Sequence, residues 1–127
     1  PTHQDAFENY RSKKAFGTWS DEWLQAYVEH GFVPSHNNEV ELACPPSWES
    51  LTFQHTEPNA ARWIRDPGCP IHILAASRGS TFPATAHAHI QKHLPKAHIE
   101  VIADATHFLP MEHTGLVVQR ICDLAKK

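Results

Sequence analysis

Ile71-His72-Ile73-Leu74-Ala75-Ala76 and, further on, His98-Ile99-Glu100-Val101-Ile102-Ala103 are the stretches whose reading decides how this chain is built. The first is short and almost continuously apolar, the pattern of a strand buried on both faces. The second reads as another strand. Between them Pro83 suits the first turn of a helix, and Ala86, Ile90 and Leu94 recur at a spacing of four on one helical face before Pro95 ends it. Strand 71–76, helix 83–94 and strand 98–103 therefore make one βαβ unit. Its crossover requires the two strands to run parallel, with a right-handed connection. Parallel sheets need further strands and cover on both faces. The unit thus expects more sheet from another chain or from a segment ahead of Pro1, and the fold class is α/β.

Outward from this unit, residues 111–125 read as a closing helix with Val117, Val118, Ile121 and Leu124 on its inner side. Asp66-Pro67-Gly68 is a turn signal, and the organisation changes there: residues 66–127 alternate strand and helix, whereas residues 1–65 hold short helical pieces and one strand. Residues 5–16 suit a helix with Asp5 as its N-cap. Residues 21–30 suit a second, with Ser20 accepting from the first turn and Asp21 and Glu22 at the positive end of the dipole. Trp23, Leu24, Tyr27 and Val28 form its apolar stripe, and Gly31 is suited to a left-handed ending. Residues 39–44 alternate, with Val40, Leu42 and Cys44 facing one way, as a half-buried strand stopped by Pro45-Pro46. Residues 47–55 and 59–65 read as short helices with Trp48, Leu51, Trp63 and Ile64 as their apolar contacts.

The totals set outer limits. The chain has 127 residues, about one domain, and a net charge of −3 from 11 basic and 14 acidic side chains. That balance offers no basic footprint for nucleic acid and no polybasic anchor for a membrane. No apolar run approaches the roughly 18 residues of a spanning helix. Residues 1–5 carry neither the basic nor the apolar region of a signal peptide. The chain starts at Pro1 rather than Met and reads as processed, truncated or excised. Cys44, Cys69 and Cys122 are odd in number and lack CxxC spacing, which reads as free, partly buried thiols in a reducing, cytoplasmic setting.

Several stretches, in order, resemble the C-terminal half of an α/β-hydrolase. Cys69-Pro70-Ile71-His72-Ile73-Leu74 is similar to the start of that family's penultimate strand, and His98-Ile99-Glu100-Val101-Ile102 to its last strand. Ala105-Thr106-His107-Phe108-Leu109-Pro110-Met111-Glu112 is similar to the loop that presents the catalytic histidine, and residues 111–125 to the final helix. Val40–Ser50 and the helices before it resemble the end of the family's lid and its return to the core. The resemblance implies a partial α/β-hydrolase fold, with a helical lid segment over 1–65 and the C-terminal part of the core over 66–127. It implies a serine-type hydrolase acting on a small ester, amide or related acyl bond, with no cofactor, in which His107 relays the nucleophile's proton. Phe108 beside it, Phe82 in the neighbouring loop and Trp23 in the lid become candidate substrate contacts. The alternative for His107 is an ordinary loop histidine, in a chain that has 11 of them.

Two departures narrow the expectation. The nucleophile elbow G-x-S-x-G is absent; by the resemblance it belongs upstream of Pro1. The loop Ser77-Arg78-Gly79-Ser80-Thr81-Phe82 holds no carboxylate, although the family commonly places its acid there. Asp104, three residues before His107, reads as a turn former more than as a partner for the imidazole. Arg78 is either an anion holder or a surface arginine. His89 and His93 share a helical face, but His87 points elsewhere and no HExxH is present, so these histidines read as solvated and no metal site is expected. Trp19, Trp23, Tyr27 and Phe32 suit either a pocket wall or packing within the lid itself. Taken alone, the chain is expected to be inactive, and its partner is the missing N-terminal hydrolase half or a second copy. The competing reading is a non-catalytic α/β interaction module, or a degenerate hydrolase relative, that self-associates through exposed strand edges.

Overall fold

The computed structural model describes residues 1–56 and 67–126. The helix expected over 59–65 with Trp63 and Ile64, the boundary at 65/66 and Asp66 of the turn lie outside the described residues. The chain divides into two compact units, the first running from Pro1 to Thr56.

In the first unit, α1 (His3–Arg11) is opened by Thr2 rather than Asp5. The Thr2 hydroxyl accepts from the Asp5 amide at 3.2 Å, and the Asp5 carboxylate accepts from the Thr2 amide at 2.8 Å. This is a reciprocal capping box, so Asp5 serves one turn inside the helix. The helix stops at Arg11 instead of running to residue 16. There the Arg11 guanidinium reaches forward to the carbonyls of Phe16 and Trp19, at 3.3 and 3.0 Å, and pairs with Asp21, drawing the chain back through a 3-10 turn over Lys14–Phe16.

Helix α2 (Asp21–Gly31) forms as the pattern predicts, with Ser20 Oγ accepting from the Trp23 amide at 3.3 Å. Leu24 and Val28 are fully buried with Ala6, and Phe7, Tyr10, Phe16, Tyr27 and Phe32 pack around them. Gly31 does not take the left-handed ending. It is the last helical residue, and Phe32 at φ −124° carries the chain straight into strand β1 (Phe32–Pro34). That strand pairs antiparallel with β2 (Val40–Leu42), Phe32 opposite Leu42 and Pro34 opposite Val40. The connection turns at Asn37 and Asn38, whose φ values of 60° and 59° lie in the left-handed region asparagine tolerates. Helix α3 (Pro46–Gln54) buries none of its residues. Trp48 and Leu51, expected to provide its apolar contacts, are 69% and 52% exposed.

The second unit contains the βαβ arrangement. Strands β3 (His72–Ala76) and β4 (His98–Ile102) are parallel, in register from His72 opposite His98 to Ala76 opposite Ile102. Helix α4 (Ala84–His93) joins them; Pro83 stands at its N-cap position, just ahead of the first turn where it was expected, and Ile90 and Leu94 are buried. The expectation that β3 is buried on both faces fails: only Ala75 is fully buried along it. Among the described residues the pair has no third strand, so each strand keeps an unpaired edge.

The closing helix is two helices, α5 (Leu109–Glu112) and α6 (Thr114–Ala125), separated at His113 with φ −130° and ψ 45°. Leu109 joins Ile102 and Ala105 in a buried cluster on which Leu74, Ala76, Leu116 and Val117 pack. The inner face of α6 is thus carried by Leu116 and Val117, while Val118 and Ile121 are 52% and 61% exposed. Arg120 lies on the same inward side, holding both oxygens of Glu100, and its neighbour Ile121 faces out. The three cysteines are free and exposed, not partly buried. No described helix is long and apolar enough to cross a membrane.

Candidate active site

The loops leaving β3 and β4 are stitched together by backbone hydrogen bonds. The Ser77 amide donates to the Ile102 carbonyl at 3.1 Å, and the Arg78 amide to the Ala105 carbonyl at 3.0 Å. The Arg78 side chain adds to this, donating from Nη2 to the Asp104 carbonyl at 2.5 Å, with Nε 3.9 Å from the Asp104 carboxylate. Asp104 itself has φ 58°, the left-handed turn geometry that a short polar side chain tolerates. Asp104 is therefore a turn residue paired with Arg78, and Arg78 is occupied within the protein.

Ala105 is fully buried beneath the next loop. Thr106 then bonds to Glu112: its amide donates to Oε2 at 2.7 Å and its hydroxyl to Oε1 at 2.9 Å. The same hydroxyl accepts from the Phe108 amide at 3.2 Å. His107 lies between these anchored residues and projects to solvent. Its ring stands 4.0 Å from that of Phe108, tilted by 36°. Among the described residues no hydrogen bond to the imidazole is formed.

His107 also lines a cavity of about 290 Å3 with Leu74, Ala76, Phe82, Leu109 and Val117 among its walls. Phe82 is held there by the Ser80 hydroxyl, which accepts from the Phe82 amide at 3.0 Å, and by stacking on His87 at 4.7 Å. The structure thus brings His107 and Phe82 to one cavity, whereas Phe108 backs the imidazole without lining it. Trp23 belongs to the first unit, on α2, where it is 39% exposed. Trp19, Tyr27 and Phe32 are engaged inside that unit: Trp19 meets Tyr27 edge-on at 5.9 Å, and Phe32 meets Tyr10 in the same way at 5.9 Å. A larger hollow of about 590 Å3 lies by the opposite ends of the strands, near Ile71 and Ala97, with no residue of the His107 loop in it.

His89 and His93 are in ring contact at 4.5 Å, and His87 is directed instead at the Phe82 carbonyl, 3.2 Å away. No group of three or more His, Cys, Asp or Glu side chains among the described residues is arranged to hold a metal ion. The ties of Glu112 to Thr106 and of Arg78 to Asp104 were not legible beforehand. Both depend on side chains meeting across turns, and no sequence spacing signals that.

No family model and no curated protein matches this chain. Solved structures do. Over 99% of its length the chain superposes on E-2-(acetamidomethylene)succinate hydrolase with a TM-score of 0.85 at 13% identity. Over 91% it superposes on the peroxisomal alpha-beta-hydrolase Lpx1 from Saccharomyces cerevisiae with a TM-score of 0.72 at 18% identity. The fold is accordingly a partial α/β-hydrolase fold. The chain spans 46% and 32% of the lengths of these two proteins.

Proposed function

We propose that this chain is the histidine-bearing, C-terminal portion of a serine-type α/β-hydrolase acting on a small ester, amide or related acyl bond. The observation that carries the proposal is the setting of His107: exposed, on the loop leaving β4, at a cavity with apolar walls. A neutral imidazole there accepts the proton of an attacking hydroxyl, and the imidazolium returns it to the leaving group. The nucleophile, the oxyanion hole and the acid belong, in this reading, to sequence outside the chain. Among the described residues the cavity lining contains no carboxylate, lysine or arginine, and Arg78 is turned to Asp104. Three free cysteines favour the cytoplasm as its location.

The test is hydrolysis of a p-nitrophenyl ester. The 127-residue chain alone is expected to give no turnover above buffer. The complete enzyme, with the remaining hydrolase portion present, is expected to turn over and to lose about 10²–10⁴-fold of its rate in His107→Ala. Full activity of the complete enzyme without His107 sinks the proposal.

A second reading, a non-catalytic module that self-associates, is favoured by the unpaired edges of β3 and β4 and by the exposed Val101, Val118 and Ile121. Light scattering over a concentration series separates the two. A stable dimer that needs no hydrolase partner supports this reading.

A further inference from the structure

We propose that Glu112 is a positioning residue for His107, which it holds in place through Thr106. The inference rests on the reading of His107 as the general acid and base, and goes beyond it by naming what aims the imidazole. Both oxygens of the Glu112 carboxylate are engaged by Thr106, the residue immediately before His107, at 2.7 and 2.9 Å. Phe108, immediately after it, donates to the Thr106 hydroxyl at 3.2 Å. The Thr106 amide and hydroxyl are therefore tied directly to one carboxylate, through hydrogen bonds of the strong, charge-assisted kind, and the Phe108 amide is linked to it through the Thr106 hydroxyl.

The geometry of the tie also suits this task. Glu112 ends the short helix α5, whose first residue, Leu109, is buried on Ile102 and Ala105. The carboxylate thus reaches back from an anchored helix to the loop that precedes it. On the upstream side, the Arg78 amide and guanidinium hold the carbonyls of Ala105 and Asp104. His107 is left as an exposed residue of a loop fastened at both ends, its ring beside that of Phe108. Such fastening matters because a displacement of about 1 Å at a catalytic group costs about 10²-fold in rate.

The test compares the chain with its Glu112→Ala, Glu112→Gln and Thr106→Val variants by amide hydrogen exchange. In parallel, the His107 imidazole is followed by ¹H–¹⁵N correlation, its signal assigned with His107→Ala. In Glu112→Ala the Thr106 and Phe108 amides are expected to exchange at least about 10-fold faster. The His107 signal moves with them, and the amides of β3 and β4 keep their protection. Glu112→Gln, which retains one acceptor oxygen, falls between the two, and Thr106→Val frees the Phe108 amide. Unchanged exchange at Thr106 in Glu112→Ala overturns the proposal. So does loss of strand protection in both Glu112 variants, because the residue then holds the fold and not the loop. A complete enzyme that works without His107 would remove the functional reading and leave these exchange results standing.

Discussion

Arg120 donates from Nε and Nη2 to the two carboxylate oxygens of Glu100, at 2.8 and 2.7 Å, joining the final helix to the middle of the last strand. The pair is the bidentate, fork-to-fork kind, in which geometry as well as charge is satisfied. Arg120 lies on the same side of α6 as Leu116 and Val117, which pack on Ile102, Ala105 and Leu109.

The hydrogen bonds from Arg120 hold the Glu100 carboxyl below its ordinary value of 4.5, with the Arg120 charge and the nearby His98 and His72 acting in the same direction. For an acid whose folded pKa is depressed, the stabilisation is complete above the unfolded value and is lost as the pH falls through the folded one. Stability is therefore expected to decline as the pH drops below about 4.5. In Glu100→Gln the chain is less stable at neutral pH, and its difference from the parent shrinks on acidification. Urea midpoints measured from about pH 3 to pH 7 check this; a difference that stays constant with pH refutes it.

Tyr27 titrates in the opposite sense. Burial, and after it the neighbouring Tyr10, pushes its phenol up from 10.0 to about 12. The folded state holds this proton more tightly, so the associated stability is present below pH 10 and is lost as the pH rises through 12. Ultraviolet difference titration is expected to show a tyrosinate absorbance with its midpoint near 12 that is missing in Tyr27→Phe.

Helix α2 combines the Ser20 cap with two side chains of a small buried cluster. Leu24→Ala removes a side chain with no solvent exposure and is expected to cost about 2–5 kcal/mol. Ser20→Ala removes the hydroxyl that accepts from the Trp23 amide and costs about 1 kcal/mol. Denaturant unfolding followed by tryptophan fluorescence gives both values, and equal effects would contradict this ranking.

Cys44, Cys69 and Cys122 are all exposed. A thiol reagent such as Ellman's is expected to titrate all three without denaturant, in a single rapid phase. A slow thiol released only by urea would place one of them in the interior.

Much of the second unit was legible in the sequence because its signals are local. A short apolar run, a proline-opened helix with Ile90 and Leu94 at its core, and a second strand give a βαβ unit under simple rules of connection, and β3 and β4 are parallel as those rules require. The Ser20 cap was legible for the same reason, since its partner is three residues away. Local signals also misled. Asp5 is a good cap until Thr2 is found to form the box with it, and Gly31 suits a helix ending that a directly following strand makes unnecessary.

By itself the sequence did not determine strand β1 or the break between α5 and α6, but it determined the α/β class, the strand–helix–strand order of the βαβ unit and the placing of His107 just beyond the last strand. These follow from hydrophobic period and turn chemistry, which act over a few residues. Only the tertiary structure decided which face of α6 is buried, where Arg78 spends its charge, and that Glu112 returns to Thr106. Those outcomes depend on side chains meeting across turns or between elements, as Arg120 meets Glu100 over a separation of 20 residues, and local periodicity carries no record of them.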